Sequence, residues 1–143
     1  MKHSVTELPF NRFLGIQEAD TSEHLLHLPA GAQYLNHLST VHASALLALA
    51  EASSGEFLLR HSGSSEAMVP VVRKLEAKFR KPANGAIVST ASADPEALAR
   101  LDADLAAKGR ALILVAVEVH DESGVHALSA CVEWFIQRVA TKN

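Results

Sequence analysis

The chain has 143 residues, 48% of them hydrophobic and 20% charged, with a formal net charge of −3. That length suits one domain with its own core rather than two small ones. The composition excludes a disordered chain, which needs fewer apolar residues and more net charge, and the slightly acidic balance recommends no nucleic-acid partner.

Cys131 is the one cysteine and has no partner for an intrachain disulfide, which suits a reducing compartment. Met1 to Gly15 contains no continuous apolar stretch of the signal-peptide kind. Nowhere do about 18 apolar residues run together, so no membrane span is expected. These features predict a soluble, cytoplasmic chain forming one domain over residues 1–143.

In chain order, Leu8 to Leu14 predicts a short helical turn ended by Gly15, and Ile16 to Leu28 reads as extended structure broken at Asp20-Thr21-Ser22. A loop runs from Pro29 to Thr40. Val41 to about Leu59 is the longest helical candidate, with Ser39 or Thr40 as its expected cap. Its first half is apolar nearly all round, the mark of a helix wrapped by other structure. His61 to Glu66 is Gly/Ser-rich and predicts an exposed loop.

Val69 to Lys81 alternates as a half-buried strand, with Val71, Leu75, Ala77 and Phe79 on one face, Arg73 intruding among them, and Lys74, Glu76, Lys78 and Arg80 on the other. It ends at Lys81-Pro82-Ala83-Asn84-Gly85. Ala86 to Ser92 predicts a further strand. Asp94 as cap and Pro95 in the first turn then open a short helix carrying Ala97, Leu98, Leu101 and Leu105, which Gly109 stops. Ala111 to Val119 is a β-branched strand, Asp121 to Gly124 a turn, and Val125 to Gln137 the last strand. Val115, Val117 and Val119 are expected to meet Ala130, Val132 and Trp134 or Phe135 in the core.

Sequential antiparallel strands need one face covered, and only one long helix is present to cover it. The fold class expected is therefore α+β: a curved antiparallel sheet wrapped around a central helix, the hotdog, with a small helix inserted between two strands.

The segment Asn36-His37-Leu38-Ser39-Thr40-Val41-His42-Ala43-Ser44 resembles the hotdog-fold acyl-CoA thioesterases, including phenylacetate-pathway and DUF4442-like members. Their pattern has an Asn six residues before a His that opens the central helix, and an acidic residue nine after it, here Glu51. Leu75 to Pro82 and Val117 to Gly124 resemble the family's second strand and late hairpin. The resemblance spans roughly Phe10 to Arg138. It departs at Ala43-Ser44, where the family usually has Gly-Gly, and in the inserted helix, which resembles a subgroup of uncharacterised hotdog proteins.

The resemblance implies hydrolysis of an acyl-CoA thioester, or alternatively non-catalytic binding of an acyl-CoA. It implies that the Ala43 backbone N–H meets the thioester oxygen and that Glu51 acts as general base or as nucleophile. Free N–H groups and a positive dipole end at a helix start suit the first role. An apolar run before Glu51 suits the second, because burial raises a carboxyl pKa. Asn36 is a candidate to orient water or the acyl carbonyl, against a plain role as a loop residue. His42 braces the loop or touches the pantetheine arm. Ser44 is a candidate substrate contact, and Arg73, Lys74, Lys78, Arg80 and Lys81 form a basic stripe that either meets the CoA phosphates or is simply a solvated strand face.

Glu51 lies nine residues beyond His42, roughly 13 Å along a helix axis. One helix therefore cannot bring both groups to one carbonyl, and a site of this kind needs two antiparallel helices across a twofold axis. A homodimer or a dimer of dimers is expected. No metal is expected, since no Cys or His spacing fits a zinc site. No cofactor is expected beyond coenzyme A as part of the substrate.

Overall fold

The computed structural model describes residues 4–62 and 68–139. After a 3-10 turn at Val5–Glu7, helix α1 (Pro9–Leu14) has Pro9 in its first turn and Gly15 at its end with φ 88°. That left-handed conformation is one glycine adopts without strain. Strands β1 (Gln17–Glu18) and β2 (Leu26–Leu28) follow, then the central helix α2 (Ala43–Ser62). Strand β3 (Met68–Phe79), strand β4 (Ile87–Ser92), helix α3 (Pro95–Lys108), β5 (Arg110–Asp121) and β6 (His126–Arg138) complete the chain.

The six strands form one antiparallel sheet in the order β1-β2-β4-β5-β6-β3. Alternation in β5 and β6 places Val115, Val117, Val119, Leu128, Val132 and Trp134 on the concave face, where they form one core with Leu46, Leu49 and Ala50 of α2. Phe135 takes the opposite face. Leu49, Val115, Val117 and Val132 are wholly buried, each side chain contributing about 1.5–3 kcal/mol relative to exposure. A sheet wrapped around one buried helix is the hotdog arrangement.

The rear half of α2 looks polar in sequence but is buried. The Ser53 and Ser89 hydroxyls meet at 2.6 Å, and the Trp134 indole N–H donates to the Ser54 hydroxyl at 2.8 Å. Small polar side chains thus let the helix lie close to β4 and β6 with their hydroxyls satisfied. Glu56, 2% exposed, accepts hydrogen bonds from the Val5 N–H, the Ser4 hydroxyl and the Arg60 guanidinium, tying the first turn to α2.

Two expectations are corrected here. A register shift between Val72 and Lys74 marks a bulge at Arg73, which reverses the alternation beyond it. Val72 turns to the concave face with Leu75, and Val71, expected to be buried, faces outward. Second, α2 continues through His61 and Ser62, which were expected in a loop; the rest of that expected loop, residues 63–66, lies outside the described residues.

Helix α3 solves an edge problem. Strand β4 pairs β5 only from Ala116 to Asp121, leaving the first half of β5 without a neighbouring strand on that side. Leu101 and Leu105 of α3 are buried there, and the Arg138 guanidinium donates to the Leu105 carbonyl. A helix laid against an unpaired edge protects it from pairing with another chain.

Candidate active site

The segment that leads into α2 is fixed by its own backbone. The His42 N–H donates to the Tyr34 carbonyl at 2.7 Å, Val41 N–H to the Ala83 carbonyl at 2.9 Å, and Asn36 N–H to the Thr40 carbonyl at 2.8 Å. Tyr34 in turn donates its hydroxyl to the Leu14 carbonyl. A Cβ on Gly15 would lie 2.7 Å from that hydroxyl, so glycine serves both the turn and this close approach. Sequence reasoning did not single out Tyr34 or Gly15 as supports of the loop. The one available signal was the chain's single tyrosine within the loop.

Asn36 sits inside this loop. Its Oδ1 accepts from the N–H groups of Leu38 (2.9 Å) and Thr40 (3.1 Å), and its Nδ2 donates to the Thr40 hydroxyl (2.9 Å). These bonds hold Ser39 at φ 61° and set the direction in which the chain enters the helix. Asn36 is therefore engaged with its own loop, in the manner of an Asx turn.

The helix cap is His42. Its Nδ1 accepts from the Ser44 N–H at 2.9 Å, and its carbonyl accepts from Ala45 (2.9 Å) and Leu46 (3.2 Å). Ser39 and Thr40, the expected caps, make no bond to the helix, because Thr40 is turned back to Asn36. An accepting Nδ1 places the proton of the neutral ring on Nε2. Between the capped amide of Ser44 and the His42 carbonyl acceptor, the Ala43 N–H has no hydrogen-bond partner among the described residues. His42, Ala43 and Ser44 are all exposed. One donor at the positive end of a 20-residue helix is thus open.

Glu51 lies two turns further along α2, half-buried. Its side chain makes no hydrogen bond or ion pair with any described residue, and burial pushes its pKa above the ordinary carboxylate range. A carboxylate without a partner and with a raised pKa is a better base than a salt-bridged one. Its separation of eight positions from Ala43 corresponds to about 12 Å of helix, so one subunit does not bring the two together.

The basic stripe is on the other side of the sheet. Lys74 and Lys78 lie in register with Glu133 and Ser129 on the convex face, away from the α2 core. Lys74 holds Glu76 at 2.9 Å, Arg80 donates to the Ser129 hydroxyl at 2.7 Å, and the Arg73 guanidinium lies 5.9 Å from the Phe135 ring centroid. Lys78 and Lys81 are exposed, with no ion pair among the described residues. None of the five stands beside Glu51 of its own chain.

A groove of about 450 Å³ runs beside the loop, floored by Leu28, Val41 and Ile87 and walled by Tyr34 and Leu35. Glu51 does not line it. Among the described residues, no three His, Cys, Asp or Glu side chains are placed to hold a metal ion, and no helix is long and apolar enough to cross a membrane.

Comparison with known proteins places the geometry. The family described as "Domain of unknown function (DUF4442)" matches residues 14–136. A Pseudomonas aeruginosa protein of unknown function, described as a "Probable Thioesterase", superposes with a TM-score of 0.76 at 26% identity, over 96% of this chain and 93% of its own. A Haemophilus influenzae thioesterase superposes at 0.73 with 14% identity, over 97% and 90%. A Bacillus halodurans protein solved with CoA superposes at 0.61 with 20% identity, over 78% and 65%. Below 25% identity these last two establish a shared fold. No curated protein matches the chain.

Proposed function

Since the chain belongs to the DUF4442 family, a hotdog-fold, thioesterase-like family, we propose that it hydrolyses an acyl-CoA thioester to a carboxylate and free coenzyme A. The observation that carries this reading is the open Ala43 N–H at the exposed start of α2. In the reaction that amide donates to the thioester oxygen as it becomes an oxyanion. Glu51 of the other subunit takes a proton from water, whose oxygen attacks the carbonyl carbon. The C–S bond then breaks, and the thiolate of coenzyme A leaves with the proton that Glu51 had accepted. In the nucleophilic variant the Glu51 carboxylate attacks the carbonyl carbon, the C–S bond breaks and the coenzyme A thiolate leaves to take a proton from water, and a water molecule then splits the mixed anhydride into the free acid and the Glu51 carboxylate. Asn36 and His42 position the loop and the helix start rather than touch the reacting atoms.

The shared site requires a dimer, and β3 supports one. It is a 12-residue strand at the sheet edge. Its concave-facing Phe79 is 49% exposed because α2 of its own chain does not cover that end. Pairing of two β3 edges across a twofold axis extends the sheet and brings each α2 toward its counterpart. Lys78 and Lys81, exposed and with no ion pair among the described residues, are the candidates to meet the CoA phosphates.

The test is release of free thiol from a panel of acyl-CoAs by wild type and Glu51→Ala. Turnover by wild type, with a loss of at least about 100-fold in the dimeric variant, supports the assignment. Equal rates remove Glu51 from the chemistry. Thermal stabilisation by an acyl-CoA without any turnover transfers the reading to a non-catalytic binder.

A further inference from the structure

No charged residue lines the groove of about 450 Å³ beside the loop, and Tyr34 and Ser39 supply the only polar side chains of its lining. The Tyr34 hydroxyl is already given to the Leu14 carbonyl. Leu28 and Ile87 are register partners on β2 and β4, so with Val41 they make a continuous aliphatic floor. The wall at Ala30-Gly31-Ala32 carries no bulk. Gly31 has φ −176°, extended backbone that any residue adopts, and a Cβ there would first meet the flexible end of the Gln33 side chain. Ala30 and Ala32 are exposed. Neither the backbone nor core packing demands small side chains at this wall, and their effect is to keep the groove wide.

The groove also lies within reach of the open amide. Val41 stands two residues before Ala43, and two residues of chain span at most about 7 Å. A thioester oxygen held by the Ala43 N–H therefore leaves the groove a few carbon–carbon bonds away. Coenzyme A is a poor occupant, since its phosphates and pantetheine amides need polar partners that this lining lacks. An alkyl chain needs none, and it gains from every methylene removed from water. The groove of about 510 Å³ between α3 and β5 is of similar size, but Asp94, Arg100, Asp104 and Glu133 line it, which suits an alkyl chain badly.

We infer that the groove beside the loop seats the acyl chain of the substrate, and that Ala32 and Leu35 on its walls set how much of that chain fits. The inference rests on the placement of the thioester at Ala43 proposed above. At about 30 Å³ per methylene, near the share of one water molecule in the liquid, a groove open along one side holds on the order of ten carbons. The substrate class is then an unbranched acyl-CoA of that length. An acetyl group leaves most of the aliphatic floor in water and is a poor substrate.

The experiment is calorimetric titration of the dimer with S-(2-oxoalkyl)-CoA thioethers of three to sixteen carbons, which keep a carbonyl and cannot be hydrolysed. Wild type and Ala32→Trp are compared, with thermal melts to confirm folding, and thiol release from acyl-CoAs of matching length is followed in parallel. In wild type, Kd is expected to fall by up to about fourfold per methylene, the equivalent of about 0.8 kcal/mol, and to level off near ten carbons. Ala32→Trp is expected to move the break to shorter chains and to lose at least about tenfold in affinity at ten carbons. Should the tryptophan prevent folding, Ala32→Leu takes its place, with a loss of about threefold. A Kd independent of chain length overturns the inference, as does a folded Ala32→Trp with the wild-type profile. Thiol release with a flat profile keeps the hydrolysis and removes the groove. A chain-dependent Kd without thiol release keeps the groove and removes the hydrolysis.

Discussion

Replacing Ala43 with proline removes one N–H and little else. Ala43 is the first residue of α2, where the missing donor and fixed φ of proline are best tolerated. Its N–H has no hydrogen-bond partner among the described residues, so folding loses no bond of that amide. The capping bond from Ser44 to His42 and the bonds of Ala45 and Leu46 to the His42 carbonyl involve other amides and remain. Restricting the unfolded chain contributes about 0.4–1 kcal/mol in favour of folding, a change in Tm of at most a few degrees. Loss of an oxyanion donor, by contrast, costs about 2.7–4 kcal/mol of transition-state stabilisation, or 10²–10³ in kcat. The assay is thiol release beside a thermal melt. A folded Ala43→Pro that turns over within about threefold of wild type refutes the role given to this amide.

Other consequences follow from the same geometry. Glu51→Gln is expected to melt higher than wild type at neutral pH, because burial without a partner disfavours the charged carboxylate. With the folded pKa raised, that penalty is absent below the unfolded pKa and complete above the folded one, so the gap in Tm closes as pH falls toward about 4. Wild-type rate should rise with pH above the ordinary carboxylate range, a limb that Glu51→Gln lacks. His42→Ala removes the cap acceptor and should destabilise the chain by about 1 kcal/mol, with about a fivefold loss in kcat, and His42→Asn should recover both. The Asp121 carboxyl is buried, which by itself raises its pKa, but N–H groups of Asn84, Val125 and Ser123 hold it below the ordinary range. Asp121→Ala should lose about 1–3 kcal/mol at pH 7 in denaturant titration. Since the folded pKa is depressed, the deficit should shrink below about pH 4, as wild type loses that contribution on protonation.

The fold was legible where one signal dominated. Gly15 marked the end of α1, Asp94-Pro95 and Gly109 bracketed α3, and alternation set the faces of β5. It was less legible where tertiary context overrode local pattern. Alternation along β3 misplaced Val71, because a bulge at Arg73 inserts one residue that no local composition announces. The stretch from Glu51 to Glu56 reads as a solvated helix end, yet Ser53, Ser54 and Glu56 are buried because Ser89, Trp134 and the first turn supply partners distant in sequence. At the site, the spacing of Asn36, His42 and Glu51 was visible in the chain. That Asn36 is engaged by Thr40, that His42 and not Ser39 caps α2, and that the basic stripe faces away from Glu51 depend on loop geometry and sheet register, which spacing alone does not encode.

The central claim is a site divided between two subunits, and subunit mixing tests it most directly. Ala43→Pro and Glu51→Gln chains are prepared separately, unfolded together in equal amounts, refolded and assayed for thiol release. A mixed dimer holds one site with both lesions and one with neither. Random pairing should therefore restore about a quarter of wild-type activity from two parents that each show almost none. A mixture no more active than its parents, with mixed dimers demonstrated by mass, would contradict the shared site and return both groups to a single chain.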